Sequence, residues 1–163
     1  MTKTGLGQDS HAFDSENDKP LILGGVVFEH PQGLKGNSDA DVILHSLTNA
    51  ISSVTGNNII GAKADELCQK GIVDSAKYLK IALADLKDWK IEHIAIAIEC
   101  LTPKISPKIR QLKQNIAMLT DTQISNIGIT ATTGEGLTAF GRGEGIQVLT
   151  IITISKRPLH KYE

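Results

Sequence analysis

Two imidazoles and a carboxylate in the first third of the chain have the types and spacing of a metal site. Asp9 and His11 are two positions apart, so in an extended strand their side chains point to the same face. His45 follows Asp41 by four residues in an apolar pattern of helical period, so these two share one helix face. Two imidazoles and one carboxylate match a catalytic zinc site whose fourth position is open. Because spacing alone does not bring the strand to the helix, hydrogen-bonded structural residues are an equal alternative.

A glycine- and threonine-rich segment, residues 130–145, could bind phosphate. Its glycines let backbone N–H groups approach an anion, Arg142 offers a guanidinium fork, and Glu135 could hold a hard cation between phosphate oxygens. The alternative is a long hairpin loop with a surface pair of Arg142 and Glu144. No Gly-Lys-Ser/Thr follows, so the segment is not a Walker A loop.

A third candidate is TPKISP, residues 102–107, which joins a predicted strand to a predicted helix. Backbone groups at such a junction can bind a phosphate or a polar base edge, with Lys104 nearby. The alternative is a proline-stiffened turn with an exposed lysine. Cys100, in the preceding strand, is expected to be a small buried hydrophobic residue and not a nucleophile.

Hydrophobic periodicity predicts the elements that position these residues. The predicted strands cover residues 2–8, 21–28 with a bend at Gly24-Gly25, 91–101, 124–132 and 145–154. The first predicted helix covers residues 39–55, with Ser38 as N-cap and Gly56 as C-cap. A second starts after Asp74, and a third covers residues 107–119 with Ser106 as N-cap. Residues 56–71 are predicted to form a connection with one short helical piece. The predicted class is α+β, with helices packed on one face of a mixed or antiparallel sheet.

Composition limits the functional classes. A chain of 163 residues favours one domain, here 1–163 with a short polar tail at about 156–163. The net charge of -1 and the 4% aromatic content argue against nucleic-acid binding. Two cysteines form no disulfide framework. No apolar run is long enough for a membrane span and no signal-peptide pattern is present, so we expect a cytoplasmic protein.

The motifs DSH, SDADVILH, TPK, ATTGEG and GRGEGI occur in one order along the chain. In that order and spacing they resemble the 2-C-methyl-D-erythritol 2,4-cyclodiphosphate synthase family, from about residue 4 to about residue 154. The resemblance implies a homotrimer with active sites between neighbouring chains. It also implies a divalent-metal-dependent phosphorus–oxygen lyase of the non-mevalonate isoprenoid pathway. Its substrate would be 4-diphosphocytidyl-2-C-methyl-D-erythritol 2-phosphate, and its products the cyclic diphosphate and CMP.

The resemblance also assigns roles to individual residues. It implies zinc, or another divalent ion, at Asp9, His11 and His45, and magnesium or manganese at Glu135 with substrate phosphates. Thr133 would steady the developing charge, and Asn37, where many members have histidine, would donate a hydrogen bond to phosphate. Arg142 and Glu144 match the central channel of the trimer, where isoprenoid diphosphates can sit. The implied substrate-binding residues are Ser38, Gly61, Cys100, Leu101, Thr102, Pro103, Lys104, Ile105, Ser106, Thr132, Gly134, Phe140 and Arg142.

The sequence departs from the family pattern near the expected nucleotide. Ile59 stands where the family has a ribose-binding aspartate, and Asn58 is the candidate substitute. The usual acidic flap is replaced by AKADEL, where Asp65 or Glu66 could act in its place. Two alternatives to the synthase therefore remain: a non-enzymatic trimer of the same fold that binds isoprenoid diphosphate or nucleotide, and a metal-dependent phosphohydrolase.

Overall fold

The computed structural model describes residues 1–16 and 18–157. Its strands are β1 (Thr2–Asp14), β2 (Leu21–Leu23), β3 (Val26–Phe28), β4 (Gly33–Leu34), β5 (Trp89–Glu99), β6 (Ile127–Thr132) and β7 (Gly145–Lys156). Its helices are α1 (Val42–Thr55), α2 (Ala62–Gln69), α3 (Ser75–Ala84) and α4 (Ile109–Thr120). None of these helices has the length and apolar character needed to cross a bilayer.

The main sheet has the strand order β4-β1-β7-β5-β6. β5 and β6 are parallel and the other neighbours are antiparallel, so the sheet is mixed. Along β7, Ile146, Val148, Ile152 and Ile154 are buried on the face covered by helices, whereas Ile151 is exposed on the other face. The predicted α+β class with helices on one face of the sheet is confirmed.

Two glycines set the distance between β1 and α1. A Cβ built at Gly7 would lie 2.0 Å from the carbonyl oxygen of Ser46, and one at Gly5 would lie 2.3 Å from that of Ala50. No side chain fits in this space, so the helix backbone rests directly on the strand. Gly7 and Ser46 are neighbours of the metal-ligand candidates, and the close approach therefore positions His45 beside β1.

We expect Gly7→Ala to destabilise the fold by about 3 kcal/mol and to weaken metal binding, because the added methyl pushes α1 away from β1. Urea denaturation and zinc titration measure the two effects. Gly128→Ala on β6 is the matched control, since the nearest atom to its Cβ would be 3.9 Å away. Equal stability of the two variants would contradict the prediction.

The N-cap of α1 differs from the prediction of Ser38. Asp41 is the cap, and its side chain accepts hydrogen bonds from the backbone N–H groups of Ile43 and Leu44. Ser38 instead accepts from the N–H of Ala40 at 3.0 Å. Ala40 has a φ of 54°, which turns the chain between Ser38 and the helix. The cap and the helix start are therefore both three residues later than the pattern predicted.

Two short 3₁₀ turns replace predicted regular structure. Residues Ser106–Lys108 form one such turn without a side-chain cap, and α4 begins at Ile109. Residues Ile124–Asn126 form the other, and β6 begins at Ile127. In both cases the more tightly wound 3₁₀ turn lies directly before a regular element, a position where such turns are common. The predictions of a Ser106 cap and of a strand from residue 124 were wrong.

Other predicted elements are confirmed. Gly24 and Gly25, with φ of 58° and 73°, turn the chain between β2 and β3, and the side chain of Asp74 caps α3. β1 continues to Asp14, beyond the predicted end at residue 8. In the predicted tail, Lys156 ends β7; residues 158–163 lie outside the described residues.

Candidate active site

Three side chains converge where α1 crosses β1. The Nε2 atom of His11 lies 3.0 Å from Oδ2 of Asp9, Nδ1 of His45 lies 3.1 Å from the same oxygen, and the two nitrogens are 3.4 Å apart. Zinc–ligand bonds of 2.0–2.1 Å in a tetrahedral site would separate the ligand atoms by about 3.3 Å. The three atoms therefore form one face of a tetrahedral metal site. The contact between β1 and α1, which spacing in the sequence could not establish, is present in the structure.

The charges in this trio suit a divalent cation. Burial raises the pKa of Asp9, but hydrogen bonds and charge interactions with His11 and His45 outweigh it and lower the pKa to about 2. Burial lowers the pKa of His11, and its hydrogen bond to Asp9 reverses this, so the net shift is upward. Asp9 is therefore ionised at neutral pH, as a metal ligand must be.

The backbone fixes the orientation of His11. Its Nδ1 lies 2.7 Å from the carbonyl oxygen of Lys35, which can only accept a hydrogen bond. The proton of a neutral His11 therefore sits on Nδ1, and the lone pair of Nε2 faces the cluster. A carbonyl behind a ligating imidazole is a usual partner in metal sites.

A cavity of about 220 Å³ opens beside the trio. Asn37, Ser38 and Gly61, all singled out in the sequence, line it together with the three candidate ligands. Asp65 of α2 also lines it, whereas Glu66 is outside the lining formed by the described residues. The structure thus brings residues from separate segments of the chain together around one small cavity.

Two cavity residues were missed by the sequence reasoning. Cys68 and Tyr78 line the cavity, and the Tyr78 hydroxyl donates to the carbonyl of Ile72 at 2.5 Å and lies 2.9 Å from the sulfur of Cys68. Tyr78 lies on α3, the helix that the sequence predicts after Asp74. The available signal was its hydroxyl, because a buried tyrosine usually needs a polar partner.

A second group, here called the loop cluster, consists of residues 100–106 and 132–143. The N–H of Cys100 donates to the carbonyl of Thr132 at 3.1 Å, and that of Leu101 donates to the carbonyl of Phe140 at 3.0 Å. These bonds place the two predicted substrate-binding segments side by side. Glu135 is exposed at the tip of a tight turn, with a φ of 52°.

The structure bears on two expectations for the loop cluster and its neighbour Glu144. Cys100 is buried, and burial raises its pKa to about 11, so it packs as a thiol as predicted. Arg142 donates from Nε to Glu144 at 3.0 Å, and both side chains are exposed. This is the surface pair that the sequence offered as an alternative, and it leaves the guanidinium accessible to an anion.

Thr132, at one end of the β6 side of the loop cluster, lies far from the metal trio in a single chain. Ser10, Gln147, Glu99 and Thr132 form one row across β1, β7, β5 and β6. Three strand spacings of about 4.8 Å separate the ends of this row by about 14 Å. Among the described residues, the lining of the cavity beside the trio includes no member of the loop cluster. The cavity beside the trio and the Thr132 end of the loop cluster are therefore separate parts of the surface.

Comparison with known proteins identifies the family. The sequence profile of the YgbB family matches residues 2–155. This chain belongs to the YgbB family. Over 155 residues it is also 50% identical to a protein of Chlamydia muridarum (strain MoPn / Nigg), 2-C-methyl-D-erythritol 2,4-cyclodiphosphate synthase. That alignment covers 93% of this chain and 87% of the relative.

Solved structures of this family have the same fold. The bifunctional IspDF of Campylobacter jejuni superimposes with a TM-score of 0.87 at 33% identity, covering 96% of this chain and 42% of that longer chain. A CDP complex of IspF from Plasmodium falciparum superimposes with a TM-score of 0.83 at 26% identity, covering 96% and 97%. The YgbB assignment therefore rests on both sequence and fold.

Proposed function

We propose that this protein converts 4-diphosphocytidyl-2-C-methyl-D-erythritol 2-phosphate to 2-C-methyl-D-erythritol 2,4-cyclodiphosphate and CMP. The observation that carries the proposal is the trio of Asp9, His11 and His45, arranged as a face of a tetrahedral metal site in a chain of this family. Relatives about half identical over nearly the whole chain carry the name of that synthase.

The reaction needs alignment more than a protein nucleophile. An oxygen of the 2-phosphate attacks the β-phosphorus, and the bond from that phosphorus to the oxygen shared with the CMP phosphate breaks, so CMP leaves with the bridging oxygen. The 2-phosphate is already an anion, and the main barrier is the approach of two negatively charged groups. Asp9, His11 and His45 would hold a divalent ion, which when bound neutralises and orients phosphate oxygens.

Residues around the cavity complete the proposed phosphate site. Asn37 offers an uncharged amide donor where it lines the cavity, and Ser38 presents a hydroxyl close to His45. On the loop cluster, Thr132 and Thr133 offer hydroxyls, and the exposed Glu135 would hold the second cation, magnesium or manganese, with substrate phosphates.

The proposed nucleotide site lies at residues 100–106, where backbone groups would contact the base and Lys104, which is exposed, would contact the nucleotide. Ile59 is fully buried in the core and contributes no ribose contact. Asn58, its exposed neighbour, remains the candidate for that contact. Asp65 is the better candidate for the flap acid, because it lines the cavity and Glu66 does not.

We also propose that the chain acts as a homotrimer. In a single chain Ser10, beside the trio on β1, and Thr132 are about 14 Å apart, so a neighbouring copy would have to bring Thr132, Thr133 and Glu135 to each trio. The sheet face opposite the helices exposes Leu6, Leu149 and Ile151, which lie on adjacent β1 and β7. Such a contiguous apolar patch is typical of a subunit interface.

We expect Ile151→Asp to break the assembly, because the new carboxylate would be buried without a partner. Light scattering after size exclusion should report a smaller species, and synthase activity should fall with it. Met118→Asp is the control, since Met118 is an exposed apolar residue of α4, away from that sheet face. A trimeric and fully active Ile151→Asp variant would contradict the proposed interface.

The activity is tested by incubating the protein with the cytidylyl substrate, zinc and magnesium. Phosphorus NMR should show the cyclic diphosphate, and chromatography should show an equal amount of CMP. His45→Ala is the background control. A linear phosphate product would instead favour the phosphohydrolase, and nucleotide binding without turnover would favour the non-enzymatic trimer.

A further inference from the structure

We infer that Ser75 and Asp39 are positioning residues that hold His45 in the tautomer and orientation needed to bind the metal. This inference rests on the proposed function, because it concerns the same metal site. Asp39 stands within the SDADVILH motif, but the resemblance assigned it no role, and Ser75 lies outside the family motifs. They reach His45 from the N-terminus of α3 and from the loop before α1.

The contacts form a chain of three side chains. The hydroxyl oxygen of Ser75 lies 2.7 Å from Nε2 of His45 and is hydrogen-bonded to Oδ1 of Asp39. The backbone N–H of Ser75 donates to Oδ2 of Asp39 at 3.0 Å. Ser75 is fully buried and His45 nearly so, which keeps water from competing for these bonds.

The direction of each bond follows from the available protons. The carboxylate of Asp39 accepts from both the backbone N–H and the hydroxyl of Ser75, so the single hydroxyl proton of Ser75 is donated to it. The oxygen of Ser75 must then accept from Nε2–H of His45. This places the proton of a neutral His45 on Nε2 and leaves the lone pair of Nδ1, which lies 3.1 Å from Asp9, available to a metal ion bound between them.

The hydrogen-bond partner of His45 on the side away from the metal differs from that of His11. His11 donates to a neutral backbone carbonyl, whereas His45 donates through a hydroxyl to a carboxylate. A carboxylate behind a ligating imidazole increases its basicity and fixes its ring orientation. The other hydroxyl near Nε2, that of Ser38, is 3.5 Å away and already accepts from Ala40. Ser75 is therefore the main partner of His45 on the side away from the metal.

The test compares zinc affinities of the full chain by competition with a chelator. Ser75→Ala and Asp39→Asn should weaken zinc binding about 10- to 100-fold, and Ser75→Thr should restore much of the affinity. Ser52→Ala is the matched control, because Ser52 is a buried serine of α1 whose hydroxyl has no hydrogen-bond partner in the described part of the chain. That control should bind zinc like the wild type.

A second measurement separates positioning from general packing. In the zinc-loaded wild type, NMR should show a downfield imidazole N–H resonance of His45 that is protected from exchange with water. Ser75→Ala should lose that protection. Unchanged zinc affinity and an unchanged resonance in Ser75→Ala would overturn the inference, as would an equal loss of affinity in Ser52→Ala. Failure of the wild type to bind zinc would instead overturn the proposed metal site itself.

Discussion

Replacement of Asp9 by alanine is expected to remove zinc binding and to lower turnover about a thousand-fold or more, because a bound cation contributes several kcal/mol of charge stabilisation to phosphate transfer. Asp9 is the shared neighbour of both imidazoles, at 3.0 Å from His11 and 3.1 Å from His45. Without it, the two nitrogens would face a cation with no negative ligand. His11→Ala should have a similar effect.

The measurements are zinc content by elemental analysis and CMP release per active site. Ser10→Ala is the control within the same strand, because side chains alternate along β1 and Ser10 is exposed on the opposite face from Asp9 and His11. That variant should keep zinc and most of its activity. If Asp9→Ala and His11→Ala both retain stoichiometric zinc, the assignment of this site is wrong.

The largest effect on stability is expected for Asp41→Ala. The Oδ1 atom of Asp41 accepts from the N–H groups of Gly24, Ile43 and Leu44 at 2.8, 3.1 and 3.0 Å, and Oδ2 accepts from that of Gly25 at 2.6 Å. Because Asp41 is fully buried, its removal leaves these donors without partners. A cost of about 1–3 kcal/mol per stranded donor would total on the order of 4 kcal/mol or more, a large share of the stability of a typical domain.

Urea denaturation at constant zinc concentration tests this expectation. Asp74→Ala is the matched control, since Asp74 caps α3 through one bond to Ala76 and is exposed. A simple exposed cap of this kind is worth about 1 kcal/mol. The prediction fails if the two variants lose the same free energy of unfolding, because Asp41 would then act only as a helix cap and not also as the anchor of the β2–β3 turn.

The sequence by itself determined the local arrangement of the site. The two-residue period of a strand directs Asp9 and His11 to one face, and the helical period of residues 42–54 places His45 on a buried side of α1. The order of motifs was sufficient to predict the family. The strand and helix periods depend on residues that are near neighbours in the chain. The order of motifs can be read directly from the complete sequence.

The tertiary structure decided how these pieces combine. Gly5 and Gly7 let α1 rest on β1, and only this approach makes a trio from the Asp9–His11 pair and His45. Asp41, which shares a helical spacing with His45, instead binds backbone donors from a hairpin that precedes it by sixteen or seventeen residues.

The most distant contributions were the least visible in the sequence. Ser75 and Asp39 are thirty-six residues apart in the chain, yet they form one hydrogen-bonded link to His45. The spacing of neither residue in the sequence indicates this contact. The distance of about 14 Å between Ser10, beside the trio, and Thr132 likewise follows from the strand order, not from the distance along the chain. Periodicity specifies the direction of a side chain relative to its own element. Which elements meet is decided by the packing of the whole chain around one core.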